Sequence, residues 1–150
     1  MTEVVTSADG TRWFAQRIAV DVQTGGPTWM AARGVAIAIG DSAGVWLSRD
    51  GRHFARLSGS AGAMAGAFGS RAGDGSLFLV GAFDDGDEVL HLVRVARDGA
   101  SEIVAEIKRP LGAEASDEAK VFLAFWHEAN ETLRVAFATE VRSFGPVPNS

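Results

Sequence analysis

The sequence predicts an all-β domain made of repeated four-stranded antiparallel units, and three observations carry that prediction. Short apolar runs alternate with period two between Gly- and Asp-containing turns, the signature of strands and hairpins. The phrase Ser-x-Asp-Gly-x-x-aromatic occurs twice, within TSADGTRW (Thr6–Trp13) and LSRDGRHF (Leu47–Phe54). The strands flanking the phrase recur with it, at a period of about 40–50 residues.

Taken in order, Glu3–Ser7 and Arg12–Val20 form a first hairpin around Asp9-Gly10. Pro27–Arg33, Gly34–Ile39, Gly44–Ser48 and His53–Leu57 form a full unit, with Val35, Ile37 and Ile39 alternating and a turn at Gly40-Asp41-Ser42. Gly62–Phe68, Ser76–Phe83, Val89–Ala96 and Ser101–Ile107 form a second, in which Leu90 and Leu92 alternate and Val93 and Val95 follow a break. A weaker copy of the phrase, ARDGASE, lies there at Asp98-Gly99 without the serine or the aromatic. Lys120–His127 and Thr132–Thr139 come next, hinged at Asn130, and VRSFG (Val141–Gly145) is a degraded fourth copy. Residues 116–137 also carry helical spacing, with Ala119, Phe122, Leu123, Trp126 and Leu133 near one face and Ser116 as a cap. The repeat favours two strands; a helix is the alternative.

Four strands per repeat at this period describe a propeller-like array of four-stranded antiparallel blades. The 150 residues read as one domain, with repeats at approximately 1–26 (partial), 27–60, 61–110 and 111–150 (partial). That amounts to about three blades' worth of strands, fewer than the four blades of a closed ring. An open arc exposes strand edges and an apolar face. The expected partner is a second copy, or another propeller segment, completing the ring; a sandwich-like fold of the same strands is the alternative that needs neither. Pro146 and Pro148 discourage the tail from adding a central strand.

Composition narrows the function. Nineteen acidic residues against fourteen basic ones give a net charge of -5, and the basic residues are scattered singly, so no nucleic-acid surface is expected. No apolar run approaches the roughly 18 residues of a membrane span. The absence of cysteine removes disulfide and thiolate chemistry. MTEVVTSADG contains no apolar leader core, which makes a cytoplasmic location the default expectation.

The repeated phrase has an architectural reading. Asp and Gly both tolerate positive φ, the aspartate accepts turn amides, and the aromatic can fold back over the turn. Ser7, Asp9, Gly10 and Trp13, then Ser48, Asp50, Gly51 and Phe54, and finally Asp98 and Gly99, are thus assigned to structural turns. On these residues the chain resembles the Asp-box repeats of sialidase-type β-propellers, although Gly10 and Gly51 follow the aspartate directly where that family usually places glycine two residues on. The resemblance implies a turn between the outer two strands of a blade. It also raises a glycoside hydrolase as the alternative function. A sialidase-like enzyme would need a tyrosine nucleophile, and the chain has no tyrosine. It would also need three arginines introduced by an Arg-Ile-Pro motif; the nearest text is KRPLG at Lys108–Gly112, which lacks the isoleucine.

Other candidates have plainer readings. Asp84, Asp85, Asp87 and Glu88 could offer oxygens to a calcium ion, but without EF-hand spacing they read as a solvated turn. His53, His91 and His127 lack metal-ligand spacing, and His91 is expected on the polar side of its strand. The glycine-rich SGSAGAMAGAFGSRAGDG matches no phosphate-binding fingerprint and suits a crowded inner strand. Trp13 belongs to the phrase, while Trp29, Trp46 and Trp126 fall in strands and suit packing between blades. The reading is a non-catalytic binding or scaffold module with a protein or glycan ligand and no cofactor; a carbohydrate-active enzyme or an inactive relative of one is the alternative.

Overall fold

A computed structural model describes residues 2–7, 9–18, 29–41, 43–69, 75–83, 89–108, 121–137 and 140–144. The chain is all-β there, with thirteen strands in four antiparallel sheets. Sheet A holds β1 (Thr2–Thr6) and β2 (Phe14–Ile18). Sheet B is β3 (Trp29–Arg33), β4 (Ala36–Asp41), β5 (Gly44–Ser48) and β6 (Ala55–Arg56). Sheet C is β7 (Ala63–Gly69), β8 (Ser76–Gly81), β9 (Val89–Val95) and β10 (Ser101–Lys108). Sheet D is β11 (Val121–His127), β12 (Thr132–Phe137) and β13 (Val141–Phe144). Within every sheet, strands consecutive in sequence are neighbours.

Residues 121–137 form two strands joined by a 3-10 turn at Glu128–Asn130, so the strand reading holds there and the helical one does not. Residues 111–120 lie outside the described set. The strand expected from Gly34 begins at Ala36, because Gly34 (φ 58°) and Val35 form the two-residue turn that pairs Arg33 with Ala36. The expected turn at Gly40-Asp41 also shifts. Both residues belong to β4, and fully buried Asp41 accepts the Ala43 and Gly44 amides on Oδ1 at 2.8 and 3.1 Å.

Three apolar layers separate the four sheets. Ile18 and Val4 of sheet A meet Ile39 and Trp46 of sheet B and Phe54, which precedes β6. Ala38 and Val45 of sheet B meet Phe68, Leu77, Leu79 and Val95 of sheet C. Phe78, Val80, Leu90, Leu92 and Ile107 of sheet C meet Leu133, Val135 and Phe137 of sheet D. Sheet C is covered on both faces, which explains its sequence. Leu77 and Leu79 point one way, Phe78 and Val80 the other, and all are buried. The break expected between Leu92 and Val93 does not interrupt β9: its register with β8 runs straight through, the irregularity opposite lies in β10 between Ile103 and Ala105, and alternate residues serve opposite cores. His91 consequently lies on a largely covered face, not a polar one, with its side chain 12% exposed and Nε2 3.9 Å from Glu106.

The first strands of sheets B, C and D lie together, with β7 packed against both β3 and β11. Small residues allow this. Trp29 of β3 lies over Gly40 of its own sheet and Gly66 of β7, and Trp126 of β11 covers Gly69 while stacking on Phe78 at 5.6 Å.

Candidate functional site

The two complete copies of the phrase form closely similar turns, the copy at Asp98 keeps part of one, and the expected fourth copy is instead strand β13. In the β1–β2 turn, Asp9 Oδ1 accepts the Thr11 and Arg12 amides at 2.8 and 2.9 Å, and Ser7 Oγ accepts the Gly10 amide at 2.8 Å. In the β5–β6 turn, Asp50 Oδ1 accepts the Arg52 and His53 amides at 2.8 and 2.9 Å, and Ser48 Oγ donates to it at 3.0 Å. In the β9–β10 turn, Asp98 Oδ1 accepts the Ala100 amide at 2.9 Å. Gly10, Gly51 and Gly99 have φ of 78°, 76° and 93°, a region costly for any residue with a Cβ.

These bonds fix the ionisation of the two complete turns. The Arg12 and Thr11 amides hold the Asp9 carboxyl down at about 2. The His53 ring, 2.6 Å from Asp50 Oδ2, followed by the His53 and Arg52 amides, holds Asp50 lower still. A carboxylate so engaged makes a poor proton acceptor, because each amide favours its charged form.

The aromatics at the end of the phrase differ. Phe54 is buried at 9% exposure, whereas Trp13 is 62% exposed, contrary to the expectation that it buries its turn. The reason is their neighbours. Phe54 is covered by Ile18 of sheet A, and Trp13 has no such cover among the described residues. Asp84, Asp85, Asp87 and Glu88 lie outside the described residues. The three histidines stay apart: His53 on Asp50, His91 opposite Glu106, His127 at the end of β11. Among the described residues no helix is long and apolar enough to cross a membrane.

In a meander, the turn after the first strand and the turn after the third open at the same end. At that end, a cavity of about 390 Å³ opens between sheets B and C, lined by Arg33, Arg49, Arg97, Phe68 and Gly75. Arg33 ends β3, while Arg49 and Arg97 are the residues immediately before Asp50 and Asp98. Arg49 crosses the gap, donating from Nη1 to Gly75 O at 2.5 Å and from Nη2 to Ala96 O at 3.3 Å, with Phe68 beneath its guanidinium. Burial, and then the Arg97 charge, pull the Arg49 pKa below its ordinary value. The matching cleft between sheets A and B, about 220 Å³, is lined by both Asp50 and Arg52.

The sequence reading missed the arginine cluster because the three lie far apart in the chain and looked scattered. The available signal was Arg-Asp-Gly, written at Arg49–Gly51 and again at Arg97–Gly99. Comparison with family models, with curated proteins and with solved structures finds no match for this chain.

Proposed function

We propose that the chain is a non-catalytic binding or scaffold module built from propeller blades, whose ring is completed by a second copy or another propeller segment. The supporting pattern is the convergence of β3, β7 and β11, the first strands of three successive meanders, as inner strands do around a propeller axis. The Asp-box-like turn falls between the third and fourth strands of sheets B and C, so β1 and β2 correspond to an outer pair.

One observation carries the completion of the ring. Phe54 and Trp13 occupy the same place in the repeat; the first is covered by the preceding sheet, the second is bare. Val5 is also exposed on sheet A, and on sheet D so are Leu123, Phe125 and Val141, while Met30, Val35 and Ile103 are exposed at sheets B and C. Apolar surface at both ends of a stack of sheets suits burial against further sheets.

Light scattering over a dilution series tests the reading. A stable dimer or larger closed assembly is expected. A monodisperse monomer at all concentrations overturns ring completion by self-association, and with it the scaffold reading of the isolated chain. Turnover of a chromogenic glycoside, abolished by a single carboxylate substitution, would overturn the non-catalytic reading.

A further inference from the structure

We infer that the cleft between sheets B and C, which Arg33 also lines, is a binding site for a small organic oxyanion, a phosphate ester or a polycarboxylate, held by Arg49 and Arg97. The inference deepens the binding-module reading and rests on it only in giving the module a ligand. The cleft lies wholly between two sheets of one chain, so it does not depend on how a ring closes.

The argument begins with charge. Three guanidinium groups line one cavity; Arg33 already has an interaction of its own, and no carboxylate among the described residues forms an ion pair with Arg49 or Arg97. Some arginines elsewhere do have a carboxylate partner, Arg17 with Glu3 and Arg142 with Glu140, while Arg56 bonds the Ala43 carbonyl. The acids next in sequence, Asp50 and Asp98, turn their Oδ1 atoms to the amides of their own turns. Clustered cations repel one another, and an anion placed among them relieves that repulsion.

Preorganisation comes next. Two backbone carbonyls, Gly75 O and Ala96 O, fix the Arg49 guanidinium across the cleft and take two of its five N–H donors. The remaining donors form a planar fork suited to phosphate or carboxylate oxygens. Holding the group in place before binding avoids the ordering penalty a free surface arginine would suffer.

The cavity also has the size of a small-molecule site, within the ~300–1,000 Å³ range. Phe68 and Val35 supply apolar wall for the organic part of a ligand. The repeat itself provides a contrast. The A–B cleft is lined by Asp50 together with Arg52, so its charges offset, and the residue before Asp9 is alanine, not arginine.

Isothermal titration at low ionic strength, where screening is weakest, tests the site with three probes: inorganic phosphate, pyrophosphate and citrate. Saturable binding of at least one probe is expected, weakened about tenfold or more by Arg97→Gln. Arg17→Gln, which removes an equal charge far from the cleft, should leave affinity within about twofold. Tighter pyrophosphate marks the phosphate class and tighter citrate the carboxylate class. If Arg97→Gln melts lower than the parent chain, Arg97→Lys, which keeps the charge and removes the planar fork, replaces it as the test. The absence of saturable binding by any probe overturns the site, as does equal loss in Arg17→Gln. Light scattering on the same samples reports ring completion separately, since Arg97 lies on neither open face.

Discussion

Gln16 and Phe54 exchange two hydrogen bonds across the gap between sheets A and B. Gln16 Nε2 donates to the Phe54 carbonyl at 3.1 Å, and the Phe54 amide donates to Gln16 Oε1 at 2.7 Å. The carboxamide thus serves Phe54 as a neighbouring strand would, where β6 itself spans only Ala55–Arg56. Gln16→Leu leaves both backbone groups without that partner and should destabilise the chain by about 1–3 kcal/mol in urea denaturation. A midpoint unchanged from the parent would mean that water replaces the side chain.

Trp29 and Gly40 are register partners, and the indole lies where a Cβ on Gly40 would stand. Gly40→Ala should therefore cost about 1–3 kcal/mol through overpacking. Adding Trp29→Phe should recover part of that loss, because the two residues share one space. Additive losses in a double-mutant cycle would show that the clash relaxes elsewhere.

The two complete turns predict an acid-sensitive range. Asp9 and Asp50 are more acidic in the folded chain than in the unfolded one, so the stability they add is complete above the ordinary carboxylate value near 3.8. That stability is lost as pH falls: for Asp9 between about 4 and about 2, for Asp50 further down. Asp50→Asn should lower the melting temperature at pH 6 and flatten its fall on acidification. Identical slopes for parent and variant would assign the acid sensitivity to other carboxylates.

Trp13→Arg should leave the monomer fold intact, since the indole contributes to none of the three cores. On the proposed ring it should shift the solution mass towards monomer. An assembly that persists unchanged would place the contact away from sheet A.

Much of the architecture was legible because its signals are local. Period-two alternation and Asp-Gly turns placed the strands of sheets B and C within a residue or two, and β6 is the one most shortened relative to its expected length. That strand was expected over His53–Leu57 and is shorter because the Asp50 turn extends through His53. What escaped depends on neighbours distant in sequence. The apparent break at Val93 was two-sided burial, Trp13 lacked the cover that Phe54 has, and Arg33, Arg49 and Arg97 met only through the stacking of sheets.

The meander order of every sheet has a consequence for how the molecule opens. Each sheet is closed by hairpins between consecutive strands, so it can form or dissolve without rethreading the rest. The layers then protect one another unequally. Sheets A and D each have one face against a neighbour, whereas β8 is buried along its whole length between two cores. Amide hydrogen exchange should proceed inward from both outer sheets, with the β8 amides last, at the free energy of global unfolding. The stack would then behave as a row of cooperative units that peels from its ends.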